Sequence, residues 1–390
     1  MTNTLLIARR LITADRILEH PRIAIDESGI VTAIEAGEPD HTGQAQDETI
    51  ITPAFFDIHV HGAAGHDAME GTPNAFGRIG EFLATKGVAH YLATTVTAPV
   101  DLTLRSLDRI ADAIETAKHE LSAPAARPVG IHLEGPFISH AKRGVHPPAD
   151  IQPPSIPLFE QMRQAARGHI RLVTVAPETP GALDLIEYAC AAGTHVSLGH
   201  SDATAEQTRA AIAAGATSAT HTFNAMRCLD HREPGIAGVV LDTETLYAEL
   251  ICDGIHVAPE FVRMWLRAKG EERAILVTDG ISATGMPDGN YTLGEFEVTV
   301  RDGRCLSTDD LAAGVETLAG SVLTMDRAVA NLQRFTGASL ATAVRLASRN
   351  PARMLALDKL GEIAVGEPAN LNVFSADGTL LQTILRERVV

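Results

Sequence analysis

The chain has 390 residues, of which 45% are hydrophobic, enough for a large packed core in either one big domain or two to three ordinary ones. Lys and Arg number 32 against 49 Asp and Glu, and the net charge of −17 argues against nucleic acid or an anionic membrane as a partner. The widely spaced Cys190, Cys228, Cys252 and Cys305 offer neither a disulfide framework nor a thiolate zinc knuckle, which fits a reducing cytoplasm; no apolar run reaches membrane-spanning length, and the N-terminus does not read as a signal peptide.

Residues 1–52 read as short strands: TLLIARRLIT, then PRIAIDESGIVTAIEA with a turn at Glu-Ser-Gly. The tail over 355–390 again alternates strand-like runs with Gly and Asp-Gly turns. Two β-rich ends around a different middle predict one small discontinuous β-sandwich domain from both termini.

Over 53–354 apolar strand candidates alternate with helical patterns, which argues for βα units and a parallel sheet. The strands are PAFFDIHVH, GVAHYLATT, RPVGIHLEG, IRLVTVAPE, THVSLGH, ATSATH, LYAELICDG and RAILVTDG, with helices such as DLTLRSLDRIADAIETAKHEL between them. Eight such units predict a TIM-type (β/α)8 barrel. An open doubly wound sheet fits less well, because HVHGAAGHD lacks the glycine-rich dinucleotide loop. After the eighth strand, NYTLGEFEVTVRDGRC reads as an inserted hairpin before the last helix, AGSVLTMDRAVANLQRF.

Chemistry-bearing residues recur where apolar runs give way to Gly, Pro or Ser. His59 and His61 lie two apart on a strand and so share a face. With 16 His in the chain, chance alone supplies about 0.6 such pairs. Position makes this one a candidate: it ends a buried run at the mouth of the expected barrel. Glu134 closes PVGIHLEGP, where a buried carboxylate needs a cation or several donors. His132 has the same parity two residues deeper and reads as a core or ligand-supporting histidine. His200 and His221 end the fifth and sixth strands, and with Glu134 they form a one-carboxylate, two-imidazole set suited to Zn²⁺ or Fe²⁺ with room for water. Asp279 ends the eighth strand and is placed to act as a general base toward a metal-activated water; an Asx-turn is the structural alternative. Lys142, Arg143 and His146 in KRGVHPP, and His256 in ICDGIHVAP, read as candidate substrate contacts.

These blocks, together with ATHTFNAM, HREPG and LAGS in the same order, resemble the N-acetylglucosamine-6-phosphate deacetylases of the amidohydrolase superfamily over nearly the whole chain. The resemblance implies Glu134, His200 and His221 as principal metal ligands and Asp279 as the catalytic acid/base. It implies that His146 polarises the substrate carbonyl. It further implies substrate contacts from Val145, His146, Asn224, Ala225, His256 and the Leu318–Ala319 backbone, with Arg232 reaching the phosphate from the partner subunit of a homodimer. His59 and His61 would permit a second ion, so one or two ions per subunit are expected, Zn²⁺ foremost and Fe²⁺, Co²⁺ or Mn²⁺ as alternatives. The implied reaction is hydrolysis of N-acetyl-D-glucosamine 6-phosphate to D-glucosamine 6-phosphate and acetate in amino-sugar catabolism. A deacetylase for the galactosamine isomer would share almost every motif. Other amidohydrolases usually bridge two metals with a carboxylated lysine, and no strand end here offers one. A catalytically inactive binding barrel would be expected to lose ligands that this chain retains.

Overall fold

The structure, a computed structural model, describes residues 4–13, 16–37, 48–117, 124–386 and 388–389. Eight strands form one sheet in chain order: β1 (Phe55–Val60), β2 (Val88–Thr95), β3 (Arg127–Glu134), β4 (Ile170–Val175), β5 (His195–Leu198), β6 (Ser218–Ala219), β7 (Tyr247–Ile251) and β8 (Ala274–Val277). Each pairs in parallel with the next. The sheet closes on itself beyond the end of β8, where Val60 bridges Gly280 and the Asp279 N–H donates to the His59 carbonyl at 2.9 Å. This is the expected (β/α)8 barrel, with every strand candidate in place.

The pattern has a direct physical cause. Strands covered on both faces cannot alternate polar with apolar residues, and β1 and β2 are buried at every position. The longer helices that cover the strands bury one face. In the helix Val100–Ala117, Thr103, Ser106, Leu107, Ile110, Ala111 and Ile114 are buried at spacings of three and four, which turns that stripe onto the strands. The predicted continuation of this helix to residue 121 lies outside the described residues.

Both chain ends contribute to two further sheets. A six-stranded sheet runs in the order Arg388–Val389, Leu380–Leu385, Asn370–Phe374, Ile50–Pro53, Arg10–Ile12, Ile17–Glu19, and a three-stranded one holds Thr4–Ile7, Pro21–Ile25 and Val31–Ala36. Leu11, Ile51, Leu371 and Val373 of the first share one apolar cluster with Ile23, Ile25 and Val31 of the second. Strand Ile50–Pro53 leads straight into β1, so the terminal sheet and the barrel meet at the first strand that carries histidines.

The insertion after β8 differs from the expected hairpin. It is a three-stranded antiparallel sheet, Gly289–Leu293, Phe296–Arg301 and Arg304–Ser307, because Asp302 and Gly303 both take left-handed backbone (φ 53° and 74°) and fold a third strand back. Nor is Met325–Thr336 the last helix, since Leu340–Ala347 and Arg349–Met354 follow it.

Candidate active site and metal centre

The C-terminal ends of the barrel strands bring the predicted residues together. His59, His61 and Asp279 form one group able to hold a metal ion, and Glu134, His200 and His221 form another, all six buried. Glu134 is the hub. Its Oε1 lies 3.1 Å from His221 Nε2, 3.2 Å from His200 Nε2 and 3.3 Å from His59 Nε2, while Oε2 lies 3.1 Å from His61 Nε2. Asp279 Oδ1 meets His61 Nε2 at 3.2 Å and His59 Nε2 at 3.4 Å.

The ring orientations show what the centre is built for. His200 Nδ1 is 3.0 Å from the Lys142 carbonyl, which can only accept, so Nδ1 carries the hydrogen and Nε2 presents a bare lone pair. That Nε2 lies 3.1 Å from His221 Nε2 and beside the Glu134 carboxylate. Nitrogen lone pairs and carboxylate oxygens converging in a buried volume are repulsive without a cation. The donor set therefore fits a divalent metal. In the bare protein the same need is met by protons: burial opposes charge, yet Glu134 and Asp279 together hold His59 well above the usual imidazole range. Burial would likewise raise Glu134, but the surrounding imidazoles hold it well below the usual carboxylate range.

Three of these six residues sit on strained backbone. His200, His221 and Asp279 take positive φ of 46°, 28° and 52°, a conformation that costs a non-glycine residue about 1–3 kcal/mol. The chain turns sharply at each strand end, which aims the side chain across the barrel mouth. Gly135, at φ 73°, follows Glu134 for a related reason: a Cβ there would lie 2.0 Å from Thr97 Oγ1.

His146 stands beside the metal groups, its Nε2 3.7 Å from Glu134 Oε2. Its Nδ1 accepts the Thr97 backbone N–H at 3.3 Å, which leaves the hydrogen on Nε2, facing the centre. Burial, reinforced by the neighbouring His200, pushes its pKa down to about 3, so it is a neutral donor. The Arg143 guanidinium braces the His146 carbonyl at 2.9 Å.

A cavity of about 440 Å³ opens onto this centre. His61, Glu134, His146, His200, His221 and Asp279 line it on the metal side, with Val145, Asn224, Ala225, His256 and Leu318 further round. Ala319 is buried behind the lining, its N–H donating to the Cys305 carbonyl at 3.0 Å. Arg232 is exposed and does not line the cavity of its own chain; its backbone N–H donates to Asp230 Oδ1 at 2.8 Å.

Residues 50–390 match the amidohydrolase family. The chain belongs to that family. As an amidohydrolase it is a metal-dependent hydrolase, and its relatives narrow the type. It is 36% identical over 390 residues to N-acetylglucosamine-6-phosphate deacetylase of Vibrio furnissii, covering 98% of this chain and 94% of the relative. It is 38% identical over 365 residues to N-acetylgalactosamine-6-phosphate deacetylase of Escherichia coli O157:H7, covering 93% of each. Among solved structures it resembles a variant N-acetyl-D-glucosamine-6-phosphate deacetylase from Mycobacterium smegmatis in complex with N-acetyl-D-glucosamine-6-phosphate, with a TM-score of 0.91, 34% identity, and coverage of 100% of this chain and 99% of that one.

Sequence reasoning missed several members of this amidohydrolase site. Leu293 of the inserted sheet, Val96, Glu316 and Thr317 also line the cavity. Nothing in their local pattern marks them: Val96 directly follows an apolar strand, and the other three lie in or just after the insertion. Thr97 was equally silent. Glu249 carried a readable signal, an acid inside the apolar run LYAELICDG, and it is fully buried next to His59. His132 supports rather than ligates: its Nε2 lies 2.8 Å from Thr174 Oγ1, and its ring packs edge-on against His59.

Proposed function

We propose that this chain hydrolyses the acetamide of N-acetyl-D-glucosamine 6-phosphate, yielding D-glucosamine 6-phosphate and acetate, in the cytoplasm. The observation that carries this reading is the pair of ligand groups at the floor of a cavity, on a chain similar end to end to deacetylases of that sugar phosphate. Glu134, His200 and His221 would hold the principal ion and His59, His61 and Asp279 a second, with Zn²⁺ suited to both. Such a metal supplies Lewis-acid polarisation of the acyl oxygen and acidifies water at neutral pH.

This chain's own residues supply the rest. Asp279 takes a proton from the attacking water and returns it to the leaving amine, for which its buried carboxylate at the cavity wall is placed. His146, neutral and carrying its hydrogen on Nε2, donates to the developing oxyanion. Asn224, Ala225, His256 and the backbone at Leu318 orient the sugar. His256 Nδ1–H donates to Asp253 at 2.6 Å, which fixes the ring with Nε2 free for the ligand.

The phosphate calls for a cation that a chain of net charge −17 must supply locally. Arg232 is our candidate, acting on the neighbouring subunit of a homodimer. Its exposure and its absence from its own cavity support that reading, as does the loop that carries it: Glu233 accepts the Ala205 and Gly235 N–H groups at 2.8 and 3.3 Å and ties the loop down. The deciding assay is acetate release by purified protein given N-acetylglucosamine 6-phosphate and, in parallel, N-acetylgalactosamine 6-phosphate. Turnover of the first that chelator abolishes and Zn²⁺ restores is the expected result. Faster turnover of the second would move the assignment to the galactosamine epimer, the alternative raised by the Escherichia coli relative. Turnover of neither would refute the reading.

A further inference from the structure

Glu249 belongs to neither ligand group and takes no part in the chemistry above. It lies on β7 and is fully buried. Among the described residues no Lys or Arg side chain pairs with it, and its Oε1 has no hydrogen-bond partner. A carboxylate so placed is costly to bury, and an apolar residue of the same shape would serve packing better. Its contacts show what it does instead. Oε2 lies 3.3 Å from His59 Nδ1 and accepts the His221 backbone N–H, also at 3.3 Å. The Glu249 backbone carbonyl accepts the next N–H, that of Thr222, at 2.8 Å.

One carboxylate oxygen thus touches a member of each ligand group. As acceptor it holds a hydrogen on His59 Nδ1, which leaves Nε2, 3.3 and 3.4 Å from Glu134 and Asp279, as the nitrogen that gives up its proton to ligate a cation. At His221 the same oxygen, helped by the carbonyl, holds a backbone bent to φ 28°.

We propose that Glu249 is a positioning residue that sets the metal affinity of the His59–His61–Asp279 site, by fixing the tautomer and direction of His59 and tying them to the His221 turn. The inference rests on the reading that both groups hold ions. Loss of an outer partner of a ligating histidine typically weakens metal binding about 10- to 100-fold. Here the weakening falls mainly on the His59 site, because Glu249 meets His59 at a ring nitrogen but His221 only at its backbone N–H.

The test is Zn²⁺ titration of the metal-stripped full chain against a competing chelator, with elemental analysis, for the wild type, Glu249→Met, Glu249→Gln and His59→Ala. The wild type should take two ions per chain. Glu249→Met should bind the weaker ion about 10- to 100-fold less tightly. Glu249→Gln, which keeps an amide oxygen to accept from Nδ1, should recover part of that loss and carries the test if the Met variant does not fold. A residue needed only for packing would be replaced as well by Met as by Gln, so recovery with Gln and not with Met separates positioning from bulk. Two ions held with unchanged affinity in both variants would overturn the role of Glu249 and leave the two-ion reading standing. A single ion in the wild type, unaffected by His59→Ala, would overturn both. Equal loss at the two sites, in Glu249→Gln as in Glu249→Met, would overturn the proposal in favour of a structural role.

Discussion

Asp279→Asn separates chemistry from architecture at this site. The residue sits at φ 52°, donates its N–H to the His59 carbonyl at 2.9 Å, and accepts the Ser321 N–H on its own carbonyl at 2.8 Å. Those are backbone contacts and survive the change, and Asn tolerates left-handed backbone at least as well as Asp. The amide oxygen can still face His61 Nε2, as the Oδ1 atom does at 3.2 Å. What disappears is the capacity to take a proton from water and deliver it to the amine. Positioned acid–base groups contribute about 10²–10⁴ in rate, equivalent to about 3–5.5 kcal/mol of transition-state stabilisation. Turnover should fall by about that factor, while the Michaelis constant and the ion at Glu134, His200 and His221 change little. Steady-state acetate release paired with elemental analysis of the same preparation measures both. Turnover within a few-fold of wild type, with metal content intact, would refute Asp279 as the proton carrier. Loss of all metal would instead show that its contribution is ligation.

Three other outcomes are expected. Arg232→Ala should raise the Michaelis constant for the phosphorylated sugar about 10- to 100-fold, in line with a charge-assisted contact of about 1.5–3 kcal/mol. Mixed with Asp279→Asn chains under verified subunit exchange, it should recover activity; no recovery would show that the arginine serves its own chain or misses the phosphate. Gly135→Ala should lower the melting temperature, because the added Cβ would lie 2.0 Å from Thr97 Oγ1 on backbone at φ 73°; strain of about 1–3 kcal/mol is expected, and an unchanged melting point would count against it. His90 is buried near Arg127 and Arg386, and burial first, then those two charges, push it down to about 4. The folded chain therefore favours neutral His90, while the unfolded chain takes a proton near pH ~6.5. Its stabilisation is complete above that pH and is lost as pH falls toward about 4, on the order of 3 kcal/mol at most. His90→Phe should flatten stability against pH across that window, as read from denaturant melts; an unaltered slope would refute the assignment.

The sequence by itself determined the barrel and most of its mouth. Eight doubly covered strands are mostly apolar, so a polar residue at a strand end such as Glu134, His200 or Asp279 stands out against the run that precedes it. The H-x-H pair was legible because a strand puts alternate residues on one face. Glu249 was legible in principle for the same reason, an acid in an apolar strand, but its contact with His59 spans 190 positions and no local pattern encodes that. The tertiary structure alone decided how the ligands group, because grouping depends on barrel closure between β1 and β8 and on the turns at His200, His221 and Asp279. It also decided the form of the insertion, where a turn at Asp302–Gly303 adds a third strand and Leu293, on the first, lines the cavity. Arg232 shows the limit of both: its motif is local and readable, yet it is exposed and does not line the cavity of its own chain, and a contact across two subunits is not encoded in the fold of one.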